Sequence, residues 1–194
     1  MTAIAERFLR TSQLLQQHAV RLRPEQAADV DFTRDLYATT RWEELAAAGW
    51  PESERTVFLH DQFRLQRTHY RDAYCEACFD LILSGQDPIG RLYLHRGSSD
   101  HRVIDISLLP GWRNLGIGGE LLRIVQDQAR QHDCKVSVHV EFNNPARRLY
   151  HRLGFVTTED KGIYLLLEWH DDVPALTADP SPLQLRTPLD SISR

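Results

Sequence analysis

The sequence predicts one mixed α/β domain built on a mostly antiparallel sheet flanked by helices. Three observations carry this. Cys78–Leu83, Ile89–Leu94 and Val103–Leu108 are successive strand-like runs separated by turn residues, as in an antiparallel meander. A helical apolar stripe follows at Ile117, Leu121, Leu122, Ile124, Val125 and Ala129. Beyond it come an alternating strand, a short helix and a final apolar strand.

In chain order, the stretch from Glu6 to His18 is helix-permissive, with Phe8, Leu9, Leu14 and Leu15 on one stripe. Val20–Arg23 alternates as a short strand, and Pro24-Glu25 opens a helix where proline costs least. A second helix spans Glu54 to about Arg71. Ser84-Gly85-Gln86-Asp87-Pro88 then joins the first two meander strands as a hairpin, and Arg96-Gly97-Ser98-Ser99-Asp100 leads to the third. The striped helix begins at Gly116. Lys135–Glu141 alternates Val136, Val138 and Val140 on one face with Ser137, His139 and Glu141 on the other. Pro145–Leu153 is a short helix and Ile163–Trp169 the closing strand. From Asp171 onward, Pro174, Pro180, Pro182 and Pro188 among Asp, Ser and Thr resist both helix and sheet. The expected organisation is an N-terminal helical extension over 1–18, the domain over 19–170 and a flexible tail over 171–194.

Composition narrows the function. The chain has 194 residues, 42% hydrophobic and 26% charged, which is ample for a packed core and argues against wholesale disorder. Lys and Arg number 23 against 27 Asp and Glu, a net charge of -4 that disfavours a general grip on nucleic acid or anionic membrane. No apolar run approaches a membrane span, and Met1–Arg7 lacks a signal-peptide core, so a cytoplasmic protein is expected. The three cysteines cannot form a disulfide framework. Cys75 and Cys78 have redox or zinc spacing, but no second CxxC or nearby His pair completes a site, so no metal is expected. Cys134 reads as a small packing residue before a strand.

The chemistry begins at the end of the third meander strand. Leu109-Pro110-Gly111-Trp112-Arg113-Asn114-Leu115-Gly116-Ile117-Gly118-Gly119 joins a strand to a helix start, where free N–H groups and missing side chains make a site for phosphate oxygens. Arg113 adds positive charge. No Gly-Lys-Ser/Thr follows, which excludes a P-loop, and the glycine spacing and antiparallel surroundings fit a dinucleotide fingerprint poorly. A second segment, Asn143-Asn144-Pro145-Ala146-Arg147-Arg148-Leu149-Tyr150-His151-Arg152-Leu153-Gly154-Phe155, puts a tyrosine on a short helix closed by glycine.

Arg113-x-x-Gly116-x-Gly118 followed by Asn-x-x-Ala-x-x-Leu-Tyr-x-x-Leu-Gly-Phe resembles the GNAT superfamily of acyl-CoA-dependent N-acyltransferases, over roughly Val20 to Trp169. The resemblance implies a sheet splayed between Val103–Leu108 and Val136–Glu141, with acetyl-CoA as co-substrate in the gap. The segment Ile106-Ser107-Leu108 would pair through its main chain with the pantetheine arm. The N–H groups of Arg113, Asn114, Leu115, Gly116, Ile117, Gly118 and Gly119 would hold the pyrophosphate. Asn143, or Asn144 one register on, would contact the same co-substrate. Tyr150 would be the general acid that protonates the departing thiolate, a role suited to a phenol that stays protonated at neutral pH.

The base is a departure from the pattern. Many members carry a glutamate six residues before the Leu108 position, where this chain has Arg102. His139 lies on the next strand near a position where some relatives place a glutamate, and Glu141 on the same face and Asp105 on the preceding strand are alternatives. The resemblance implies as acceptor a primary amine on a small molecule or peptide, expected near the first two helices, where Trp42, Glu43, Glu44, Trp50, Phe63, Gln66, His69, Tyr70 and Tyr74 lie. Core packing is the competing use of these aromatics, and a solvated helix face that of Arg147, Arg148 and Arg152. A non-catalytic acyl-CoA sensor or scaffold is the alternative function. Neither nucleic acid nor membrane is expected as a partner, while a homodimer is compatible with the resemblance.

Overall fold

The computed structural model describes Ile4 and residues 9–171. The tail expected over 171–194, Asp171 itself excepted, and the Glu6–Phe8 part of the first helix lie outside the described residues. Helix α1 covers Gln13–Gln17, shorter than the expected stretch, and starts at Ser12, whose Oγ accepts the Leu15 N–H at 3.3 Å. Strand β1 is Val20–Pro24.

Pro24 corrects one expectation. It closes β1 instead of opening a helix. Because β1 is an edge strand that among the described residues pairs only with β2 (Cys78–Ser84), proline's missing N–H costs no ladder bond there. Helix onset is set later by Asp29, whose carboxylate accepts the Gln26 N–H at 2.7 Å and pairs with Arg23 at 2.6 Å. A 3-10 turn over Ala27–Asp29 then leads into α2, Val30–Ala47, and α3 follows over Glu52–Ala73.

The meander is β2, β3 (Asp87–Arg96) and β4 (Asp100–Leu108). The strands reach further into the first turn than expected, leaving Gly85 and Gln86 between β2 and β3, with Gly85 at φ 61°. Then come α4 (Ile117–Gln131), β5 (Lys135–Glu141), α5 (Arg147–Arg152), β6 (Val156–Asp160) and β7 (Tyr164–Trp169). β6 has no counterpart in the sequence expectation. Its Thr157, Thr158, Glu159 and Asp160 are exposed on the outer edge, so it lacks an apolar alternation to read.

The sheet order is β1-β2-β3-β4-β5-β7-β6, antiparallel throughout except for β4 with β5. The main core lies between the sheet and α4. There Leu121, Leu122 and Val125 bury completely in one cluster with Leu92, Leu94, Val103, Val136 and Leu167. A second cluster of Tyr37, Leu45, Leu59 and Phe63 holds α2 to α3 over the other sheet face. Two features of β4 shape the middle of the sheet. Tyr93 faces Asp105 while Leu94 faces Val103, so Ile104 is an extra residue that bends the strand. The parallel ladder with β5 also ends early, at Val103 opposite Val138.

Candidate active site

Beyond Val103 and Val138 the two central strands part, leaving the last five residues of β4 and the last three of β5 without each other as partners. The resulting groove encloses about 1550 Å³ and runs from the α4 N-terminus past the gap to the α2 and α3 face. Backbone N–H and C=O groups along the gap are open to an extended ligand, which could bind as an added strand would.

The end of the groove at α4 is built from an unusual backbone. Asn114 at φ 61° and Gly116 at φ 84° both sit in the left-handed region, one tolerated by Asn and the other suited to Gly. These turns lead straight into α4, whose first N–H groups have no carbonyl a turn behind them. Gly119 serves packing: a Cβ there would lie 3.3 Å from Leu149 Cδ1, so α4 approaches α5 only because the side chain is missing.

Arg113 lines the groove but does not point a free charge at it. Its Nε donates to the Leu108 carbonyl at 2.8 Å and its Nη2 to Thr39 Oγ1 at 2.8 Å, fastening α2 to the end of β4. The Leu108 carbonyl is thus partly used by the protein itself. Ile106, Ser107 and Leu108 all line the groove, as do Asn114, Gly116, Ile117, Gly118 and Gly119. Leu115 is not among the lining residues; its side chain is one of the exposed apolar groups. Arg123, Arg148 and Arg152 also line it, so two of the three α5 arginines read as a solvated face, Arg147 excepted, belong to the same wall. Their i,i+4 spacing was the available signal.

Both asparagines line the groove, and Asn144 Oδ1 also accepts the Ala146 N–H at 2.9 Å, shaping the turn into α5. Tyr150, on α5, is 5% exposed, lines the groove and packs edge-on against Phe155 with centroids 5.5 Å apart. Burial, and secondarily the negative charge of Asp105, push its pKa above the ordinary phenol value, so the hydroxyl keeps its proton.

His139 lies on the groove face of β5, and its Nδ1 is 3.0 Å from Arg102 Nη1. A guanidinium stays protonated, so Nδ1 accepts and the neutral ring carries its hydrogen on Nε2. Partial burial, then Arg102 and Lys161, lower the His139 pKa. In this arrangement the ring offers the groove a donor, and accepting a proton requires Arg102 to let go. Glu141 also lines the groove, 3.9 Å from Arg41.

Of the aromatic and acidic residues expected around the acceptor, Glu44, Gln66, His69, Tyr70 and Tyr74 line the groove. Trp42 and Phe63 belong to the α2–α3 cluster, where core packing claims them. Asp105 and Arg91 face one another at the floor, an arrangement the sequence did not single out as a pair. Cys134 is buried, its Sγ 3.4 Å from the Ser98 carbonyl. Among the described residues no group of three His, Cys, Asp or Glu side chains could hold a metal, and no helix is long and apolar enough to cross a membrane.

The acetyltransferase (GNAT) family model matches residues 36–155, more than half of the chain and including both motifs. The chain belongs to the GNAT family. Its enzymatic class is accordingly acyl transfer, and the matched residues include the splayed strand β4, the loop into α4 and Tyr150. Solved GNAT-type structures share the fold. The PaiA N-acetyltransferase from Thermoplasma acidophilum, in complex with coenzyme A, is 14% identical with a TM-score of 0.59, covering 78% of this chain and 98% of its own. An acetyltransferase from Thermus thermophilus is 18% identical with a TM-score of 0.57, over 78% and 97%. Arabidopsis thaliana Naa50, in complex with the bisubstrate analogue CoA-Ac-MVNAL, is 16% identical with a TM-score of 0.53, over 78% and 98%. No curated protein sequence matches the chain.

Proposed function

We propose that this GNAT protein is a cytoplasmic N-acetyltransferase that moves an acetyl group from acetyl-CoA directly to a primary amine of a small molecule or peptide. The observation that carries it is the continuity of one groove. It links the left-handed turn at Asn114–Gly116, the open edges of β4 and β5, and the buried phenol of Tyr150. A phosphate cradle alone would suit a sensor, but a protonated phenol beside the gap suits bond breaking.

The residues fit the co-substrate. The N–H groups from Arg113 to Gly119, Leu115 included, would take the pyrophosphate, with Arg123, Arg148 and Arg152 supplying charge. The main chain of Ile106–Leu108 would receive the pantetheine, Ile106 carrying more of this because Arg113 holds the Leu108 carbonyl. Asn143 would contact it, since the Asn144 side-chain oxygen already holds the Ala146 N–H. Bound there, the thioester supplies the acyl group and a thiolate leaving group. Tyr150 gives its proton to that thiolate, and His139, once freed from Arg102, would be one group able to take the amine's proton. The experiment is acetyl-CoA binding by calorimetry for the native protein and Tyr150→Phe, followed by thiol release with primary amines. Equal affinity with turnover lost in the variant supports the reading. Equal turnover removes the acid role.

A further inference from the structure

Resting on the acetyltransferase reading, we propose that the acceptor is an amine that also carries a carboxylate, and that Arg102 and Lys161 receive this second group where the gap begins. Arg102 stands opposite Ser137 in the β4–β5 ladder, one pair before the strands part, and His139 is the first β5 residue beyond the last pair. Their contact, Arg102 Nη1 to His139 Nδ1 at 3.0 Å, therefore lies at the closed end of the gap. Lys161 lines the same groove from the turn between β6 and β7. That turn is fixed by the Lys161 N–H, which donates to the Tyr164 carbonyl at 2.9 Å, and by Gly162 at φ 82°.

The charges lining this part of the groove are unevenly partnered. Asp105 meets Arg91 at 2.7 Å, and Glu44 and Glu141 meet Arg41 at 3.3 and 3.9 Å, so these carboxylates are answered by arginines of the same lining. Arg102 and Lys161 instead pair with Asp100 at 3.4 Å and Glu159 at 3.1 Å, neither of which lines the groove. Both holds are weak. Asp100 is also bonded by Ser137 Oγ at 2.6 Å, and the Lys161 pair is half-exposed on both sides and screened by water. Arg102 spends its Nη1 donor on a neutral ring. A carboxylate offers that guanidinium two parallel acceptors and an opposite charge, neither of which the ring provides. With Asp100 and Glu159 still adjacent, the site suits a single negative charge better than a phosphate monoester.

Seating the carboxylate changes His139. Partial burial, then Arg102 and Lys161, disfavour the cationic ring, while Glu159 and Asp100 favour it. An anion on Arg102 and Lys161 offsets those two cations and draws Nη1 away from Nδ1. The ring pKa then rises toward its ordinary value, and Nδ1 is free to accept a proton only while the acceptor is seated. Arg102 is thus a positioning residue that ties acceptor choice to the state of His139.

Protein saturated with coenzyme A, which occupies the arginine-lined cradle, is titrated with glycine, 4-aminobutanoate and 6-aminohexanoate and with 1-aminoalkanes of equal length. Affinity is read by saturation-transfer NMR and the His139 pKa from its ring signals. At least one amino carboxylate should bind about tenfold or more tighter than its matched amine and raise the His139 pKa. Arg102→Gln should remove both effects, and Lys161→Gln should narrow the affinity difference by about two- to fivefold. No carboxylate advantage in the native chain overturns the proposal even if Arg102→Gln fails to fold. An advantage that survives in both variants overturns the assignment to this site, and tighter binding of 2-aminoethyl phosphate than of every amino carboxylate overturns the choice of anion. Failure to bind coenzyme A at all would instead count against the acetyltransferase reading.

Discussion

Replacing Gly116 by alanine isolates the cradle from the rest of the groove. Gly116 sits at φ 84°, and an alanine held there costs about 1–2 kcal/mol. A Cβ would also stand 3.0 Å from Leu14 Cδ1 on α1, tight enough that Leu14 must shift. The loop can keep its shape and bear this cost, or turn Gly116 out of the left-handed region and misaim the N–H groups before α4. Losing one hydrogen bond to a charged phosphate oxygen weakens binding by about 1.5–3 kcal/mol, or roughly 10- to 150-fold in Kd. Calorimetry with acetyl-CoA, paired with a thermal melt, distinguishes the two, since the first lowers Tm with Kd nearly kept and the second raises Kd. Gly116→Ala with Tm and Kd both unchanged would refute the reasoning that this backbone needs glycine and forms the phosphate site.

Three further outcomes are expected. Tyr150→Phe should cut kcat by about 10²–10⁴ with acetyl-CoA affinity unchanged, measured by thiol release. Asn144→Ala should lower stability by about 0.5–2 kcal/mol in a denaturant melt through loss of the turn bond to Ala146, whereas Asn143→Ala should raise the acetyl-CoA Kd with little change in stability. His139 should titrate below its ordinary value of about 6.5 by NMR, and Arg102→Gln should move it back up. The sign follows for stability: with the folded pKa depressed, the His139 contribution is present above about pH 6.5 and is lost as pH falls through the folded value. A native His139 titrating above 6.5 would contradict the Arg102 pairing.

Local patterns that bury one clean face were legible in the sequence. Lys135–Glu141 alternates strictly and forms a strand with those bounds, and the stripe from Ile117 to Ala129 forms the helix that covers the core. Elements whose bounds depend on partners were not. Pro24 looks like a helix start until β2 is known to lie beside it, and β6 is polar because it is an outer edge. The site divides in the same way. Asn114, Gly116 and Tyr150 stand out in sequence because their residue types answer local demands of backbone and chemistry. The blocking of His139 Nδ1 by Arg102 and the Arg91–Asp105 pair join residues from different strands, and spacing along the chain carries no trace of them.

Acyl transfer to an amine is the central claim, and thiol release from acetyl-CoA tests it most directly. Purified protein is offered small primary amines, amino acids, polyamines, aminoglycosides and peptide N-termini in turn. Saturable thiol release that depends on the acceptor, and that is lost in Tyr150→Phe, is the predicted result. Tight acetyl-CoA binding with no acceptor-dependent release across the whole panel would contradict it and favour a binding module built on the same groove.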